Sequence, residues 1–217
     1  MLVGNDVVDL RDPFSQPEVI HPHFDARVFT PTERKKLPEP HLIHQHRWAL
    51  WAAKESSYKV ARKFDPSVRF LPRQFVVDRL EERWAVVHGG GGSFFVHLRH
   101  CDDWVHAVAT SYASPSGTLS GMPSRWQSGS FTRGHQVLRS AEVGLVESAL
   151  GDPSRIVREL ARESIASGMA VASEEVRVES SGRIPQVRMG DTELQVDLSL
   201  SHHGRYVACA WVGLAPA

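Results

Sequence analysis

The chain opens on a short apolar run, Leu2-Val3-Gly4-Asn5-Asp6-Val7-Val8, interrupted by one acid. Read as a strand, its period of two sets Asp6 and Val8 on one face and Asp9 on the other. A carboxylate in an apolar strand is costly to bury unless it is paired or holds a metal. Further on, Thr30-Pro31-Thr32-Glu33 fits a capping box. Thr30 is the N-cap, Pro31 takes the first helical position, Glu33 reaches back, and Pro38 ends that short helix. From about residue 41 to residue 63 there is neither proline nor glycine, so the longest helix is expected there. Trp48, Trp51, Glu55 and Tyr58 follow at three- and four-residue steps and share one face, and Lys59 lies four residues after Glu55, the favourable ion-pair order. After Pro66 the pattern changes to strands, roughly over 74–78, 84–88, 94–99 and 104–112. Gly89-Gly90-Gly91-Gly92 reads as a hairpin loop between two of them. A phosphate-cradling loop would need a Gly-Lys-Ser/Thr ending and a following helix, and both are missing.

Residues 114–130 break this pattern: six Ser, three Gly and two Pro among 17 residues are the chemistry of a linker. Beyond it Asp152-Pro153 starts a second helix, with Asp152 as N-cap. That helix is expected to run to about Ala166, with Gly168 as its stop. Strands are expected over 173–179, 184–189, 194–201 and 206–212, with a Ser180-Ser181-Gly182 turn after the first. Each half thus reads as a long helix and an antiparallel sheet, an α+β fold. The divisions are 1–113, a linker at 114–130, and 131–217. Segments 95–109 and 196–210 look like counterparts, each a strand, a His-containing turn and a strand, which suggests a pseudo-duplicated protein.

Composition narrows the class. The 217 residues include 25 Lys+Arg, 25 Asp+Glu, 12 His and 2 Cys. Zero formal charge argues against a general nucleic-acid binder. Cys101 and Cys209 cannot make a disulfide framework or a cysteine-built zinc finger. No apolar run approaches the ~20 residues of a membrane span. The first residues carry acid where a secretory leader carries base, so the reducing cytoplasm is the expected compartment. Neutrality is a cancellation, however. Arg27 to Lys63 holds nine Lys/Arg against three acids, whereas Glu174 to Asp197 holds six acids against three Arg. A basic stretch around the long helix suits a polyphosphate ligand and an acidic partner. His97, His100 and His106 have strand-alternating spacing but no third ligand of convincing geometry.

Three segments carry the candidate chemistry: Gly4-Asn5-Asp6-Val7-Val8-Asp9-Leu10, Trp51-Ala52-Ala53-Lys54-Glu55-Ser56-Ser57-Tyr58-Lys59 and Ser199-Leu200-Ser201-His202-His203-Gly204-Arg205. Together and in this order they resemble the 4′-phosphopantetheinyl transferase superfamily. The first is similar to its Gly-x-Asp metal strand, the second to its Trp-x-x-Lys-Glu helix, the third to its Ser-Leu-Ser-His turn. Gly182-Arg183-Ile184-Pro185 is similar to its Gly-x-Pro element, with one extra residue. The resemblance implies transfer of 4′-phosphopantetheine from coenzyme A to a serine of an apo-acyl or peptidyl carrier protein, releasing adenosine 3′,5′-bisphosphate. It implies Mg²⁺ on Asp6 and Glu55, coenzyme A phosphates on Lys59 and His202, and Glu55 or a metal-bound water as the base. Lys54 and Arg205 are further candidate cations. Val8 stands where two-domain members usually have Glu, and the order of motifs matches the small holo-acyl-carrier-protein synthase type in a chain about twice that length. A pseudo-dimer with one working site makes a monomer the expected state.

The chemistry fits these residue types. Phosphoryl transfer at a pyrophosphate is mostly positioning and charge neutralisation. Mg²⁺ takes one or two carboxylates plus phosphate oxygens and waters. Two other readings use the same residues: a catalytically silent protein that binds coenzyme A or a carrier protein, and a Mg²⁺-dependent phosphodiesterase with water as nucleophile.

Overall fold

The computed structural model describes residues 1–38, 40–111, 130–132, 135–146, 151–181 and 184–214. The first strand, β1 (Val3–Asp9), is buried at every position, and its Asn and Asp side chains go under with the valines. Two short helices follow, α1 (Phe24–Val28) and α2 (Pro31–Lys35). The Thr30–Glu33 capping box at α2 forms in both directions. The long helix α3 spans Pro40–Phe64. Four strands then complete a meander: β2 (Val76–Leu80), β3 (Trp84–Gly89), β4 (Gly92–His100) and β5 (Trp104–Ser111). The sheet order is β1-β5-β4-β3-β2, antiparallel throughout, so the first strand closes against the last. Gly90 and Gly91 both have positive φ at the β3–β4 corner, the backbone that a two-residue primed hairpin requires. The glycine run is therefore a turn and not a phosphate cradle.

The expected linker lies outside the described residues, apart from Ser130. Beyond it come β6 (Ser130–Thr132), β7 (His135–Leu145), α4 (Pro153–Met169), β8 (Val176–Ser181), β9 (Ile184–Met189), β10 (Thr192–Glu193), β11 (Val196–His203) and β12 (Tyr206–Leu214). They build a four-stranded sheet, β11-β12-β7-β6, and a three-stranded one, β10-β9-β8. β7 has no counterpart in the sequence reading. Ala141, Glu142 and Gly144 are poor strand formers, and pairing with β12 along most of β7 overrides them. Gly168 does not stop α4, which continues to Met169 and ends on Ala170 in the left-handed region. A Cβ at Gly168 would lie 2.5 Å from the Trp211 indole, so this glycine lets helix and sheet approach.

The strand alternation sorts the layers. Val8, Val105, Ala107, Ala109 and Val96 face α3 in the largest core cluster. On the other face of the same sheet Val3 and Val108 meet Ala210 and Val212, and Val7 meets Tyr206 and Ala208. Cys209, Trp211 and Leu198 point the opposite way, onto Ala161 and Ile165 of α4. The order of layers is α3, sheet, sheet, α4, with β1 at the contact between sheets. The fold is α+β with antiparallel sheets, as expected. Among the described residues no helix is long and apolar enough to cross a membrane.

Candidate active site

Gly4 determines how closely α3 lies on β1: a Cβ there would come 2.2 Å from the Ser56 carbonyl oxygen. This close approach brings the lysines of α3 onto the strand backbone. Lys59 Nζ donates to the Asn5 carbonyl at 2.8 Å and to Asp6 Oδ1 at 3.2 Å, and lies 3.6 Å from Glu55 Oε1. One ammonium thus bridges a strand carboxylate and a helix carboxylate. Burial raises the Asp6 carboxyl to about 7, with Lys59 opposing the shift and Glu55 adding to it.

Two hard oxygen donors from unlike elements fit Mg²⁺, and the Lys59 ammonium beside them competes for the same oxygens. The donor set ends there. Val8, where a third carboxylate would stand, is buried in the core cluster against α3. Among the described residues no group of three or more His, Cys, Asp or Glu is placed to hold an ion. The residues present therefore suit a cation that draws its remaining ligands from outside the protein.

Beside Lys59 lies a cleft of about 380 Å³ between α3, α4, β8, β9 and β11. Its basic side chains are Lys59, Arg62, Lys63, Arg158 and His202, and no carboxylate among the described residues lines it. Leu198, Leu200 and Ile184 make the apolar part. Arg62 donates to the Tyr58 hydroxyl, and Arg158 reaches Ser180 at 3.0 Å. Lys59 therefore touches both the carboxylate pair and a cationic groove sized for part of an anionic ligand.

Asp6, Glu55 and Lys59 come together, and His202 joins them through the cleft. Lys54 does not. Its side chain is fully buried, and its ammonium donates to Glu33 Oε1 at 2.7 Å, Glu33 Oε2 at 2.9 Å, the Pro72 carbonyl at 3.1 Å and the Phe75 carbonyl at 2.6 Å. It is a structural cation, corrected here from a coenzyme A contact, because every proton already has an oxygen and no solvent reaches it. Arg205 also departs from expectation. Its Nε and Nη2 fork onto Asp9 Oδ2 and Oδ1, both at 2.8 Å, and it does not line the cleft. Burial would raise the Asp9 carboxyl, but Arg205 and the backbone amides of Arg205 and Arg11 outweigh it and hold it at about 2. The Ser-His segment is strand rather than turn: His202 and His203 end β11, and Gly204 and Arg205 make the corner.

Of the remaining histidines, His106 is fully buried beside Asn5, with Nε2 3.3 Å from Asn5 Nδ2, and burial lowers its pKa to about 3. His100 contacts the Glu82 carbonyl. Cys209 is buried, as expected of a strand residue.

Two groups were missed by sequence reasoning. Glu33 serves as more than a cap: its Oε1 also accepts from the Val77 amide at 2.7 Å. The signal was present, since Leu50, Lys54, Ser57 and Ala61 repeat at helical spacing and form the buried face of α3. The other is the polar face of β11, Asp197, Ser199, Ser201 and His203, which alternates with Leu198 and Leu200. That alternation predicts a half-buried strand but not what its polar face meets.

A family model described as the 4′-phosphopantetheinyl transferase superfamily matches residues 2–109, about half of the chain, a span that includes β1 and α3. No curated protein matches the chain.

Proposed function

We propose a reaction from the premise that the chain belongs to the 4′-phosphopantetheinyl transferase superfamily: it transfers 4′-phosphopantetheine from coenzyme A to a serine of an apo-acyl or peptidyl carrier protein. The observation that carries this reading is Lys59, shared between the Asp6–Glu55 pair and the wall of a cationic cleft. Lys59 and His202 hold phosphate oxygens of coenzyme A, with Arg62 and Arg158 adding positive potential around them. Asp6 and Glu55 would hold Mg²⁺, whose positive charge would supply neutralisation of the pyrophosphate. Glu55 takes the proton of the acceptor serine. The serine oxygen bonds to the phosphorus next to pantetheine, and the P–O bond to adenosine 3′,5′-bisphosphate breaks, carrying the electron pair with it. In this reading residues 1–113 bring the carboxylates and residues 131–217 bring His202, two halves around one site in a cytoplasmic monomer.

The test is to incubate the chain with coenzyme A, Mg²⁺ and a panel of apo-carrier proteins from fatty acid, polyketide and non-ribosomal peptide synthesis. Mass spectrometry is expected to show the gain of one phosphopantetheinyl group on at least one carrier. Coenzyme A binding by calorimetry with no transfer to any carrier would replace the reading with a silent binding protein. Coenzyme A cleavage without an acceptor would replace it with a phosphodiesterase.

A further inference from the structure

The two sheets meet along β1 and β11 in an unusual way. The edge of β1 that faces away from β5 is closed by side chains of β11 and not by its backbone. The Val3 amide donates to Asp197 Oδ2 at 2.6 Å, the Asn5 amide to Ser199 Oγ at 2.9 Å, and the Asp9 amide to His203 Nδ1 at 3.2 Å. All three pairs have the same separation in sequence, 194 residues, so the two strands run side by side in one direction and in one register.

This seam is partly degenerate. Asp197, Ser199, Ser201 and His203 are four acceptors at period two, and a slip of two residues would offer the Val3 and Asn5 amides Ser199 and Ser201 in place of their own partners, leaving only the Asp9 amide without one, because the next residue in the series, Arg205, cannot accept. Such a slip would carry His202 about 7 Å along β1. Of the seam bonds, only the one from the Asp9 amide to His203 therefore distinguishes the two placements of His202 relative to Asp6. Three other contacts distinguish them as well. Lys63 Nζ takes the Val3 and Leu198 carbonyls at 2.7 and 2.8 Å together with both Asp197 oxygens at 2.9 Å. Asn5 Nδ2 donates to Ser201 Oγ at 3.0 Å, at the place in the series where the Val7 amide would otherwise bond. At the far end Asp9 accepts the Arg205 fork and the Arg205 backbone amide, the last at 2.9 Å. Gly204 permits this: with φ of +53° it turns the corner, and a Cβ on it would lie 2.6 Å from Asp9 Oδ2. In a slipped register Arg205 would stand beside Val7, and the buried Asp9 carboxylate would lose its cation.

We infer that Arg205 is a positioning residue: with Asp9 it fixes the register of β11 on β1 and so the placement of His202 against Asp6 and Glu55. The inference rests on the reading of the cleft as a coenzyme A site. It differs from a direct phosphate contact by Arg205 in what Asp9 does.

A double-mutant cycle separates the two. Coenzyme A affinity, and Mg²⁺ affinity without coenzyme A, are measured by calorimetry for the whole chain and for Asp9→Asn, Arg205→Gln and the double variant. Melting curves establish a temperature at which each is folded. Positioning predicts that each single change weakens coenzyme A by a similar factor, about tenfold, that the double is no worse than either single, and that Mg²⁺ affinity, set within β1 and α3, holds. A purely structural role would move neither affinity in the folded variants and would overturn the inference. Weakening by Arg205→Gln but not by Asp9→Asn would overturn it in favour of direct contact. Should a charge variant not fold, Ser201→Ala removes the central pin without leaving a buried charge. It is expected to weaken coenzyme A and spare Mg²⁺, and unchanged coenzyme A affinity would count against the inference. If the unaltered chain does not bind coenzyme A, the reading of the cleft fails, not the register.

Discussion

Lys54 and Lys59 sit five positions apart on one helix, inside one motif, and the fold treats them as opposites. Five residues turn a helix by roughly 140°, so the two leave α3 on different sides. Lys54 enters the interior between α2 and β2, where four oxygens lie within 3.1 Å of its ammonium. Lys59 stays one-quarter exposed and divides itself among a carbonyl at 2.8 Å and two carboxylates at 3.2 and 3.6 Å. The first ammonium is saturated and can do nothing further. The second is incompletely held, beside a carboxylate whose pKa burial has raised to about 7, and it is open to a new anion. The charge proposed to be functional thus differs from the structural one in that its site leaves part of its needs unmet.

The comparison breaks most visibly at Lys54. Lys54→Met leaves the Glu33 carboxylate buried without its cation and is expected to cost about 3–5 kcal/mol, read from the urea denaturation midpoint. A Lys54→Met protein of normal stability with weakened coenzyme A binding would reverse the roles of the two lysines. Asp6→Asn should behave in the contrary manner, with transfer falling ~10²-fold or more while the fold gains. Because the Asp6 pKa is raised by burial, the folded chain holds a proton that the unfolded chain releases between pH 3.8 and about 7. The stability this contributes is present below that window and lost as pH rises through about 7, so metal-free protein should soften toward pH 8, and Asp6→Asn should flatten that slope in thermal melts. Metal binding has the opposite sign: Mg²⁺ must displace the proton, and its affinity should climb through the same window. Lys59→Met is expected to shift two affinities in opposite directions. Measured above pH 8, Mg²⁺ should bind about tenfold tighter once the competing ammonium is gone, and coenzyme A should bind more weakly. Tighter binding of both would mean that Lys59 is not shared between them.

The legible parts of the molecule were those in which local chemistry and tertiary structure agree. The Thr30 capping box, the proline-free run of α3, the strand bounds at Ile184–Met189 and the glycine corner of β3–β4 all follow from nearby residues. Asp6, Glu55 and Lys59 were legible because a strand acid and a helix i, i+4 pair leave a pattern in sequence. β7 was not, since its strand character comes from its neighbour β12 and not from Ala141, Glu142 and Gly144. Lys54 was misjudged because a motif lists residue types without the direction each leaves the helix. Asp9 and Arg205, 196 positions apart, were out of reach, because nothing local to either announces the other.

The smallest expected effect sharpens the comparison from the other side. Arg155 and Glu159 on α4 form an i, i+4 pair at 2.9 Å, nearly as close as Lys54 and Glu33 at 2.7 Å. Contact distance alone would rate the two alike. Their side chains, however, are 65% and 45% exposed, against 0% and 2% for the buried pair. Water solvates either exposed charge when its partner is removed, and holding two long side chains in one geometry costs entropy that cancels much of the attraction. Arg155→Ala should therefore change stability by no more than about 0.5 kcal/mol, and added salt should erase even that. A loss of several kcal/mol in the denaturation midpoint would show that proximity, and not desolvation, ranks the ion pairs of this fold, and the distinction between Lys54 and Lys59 would then need another cause.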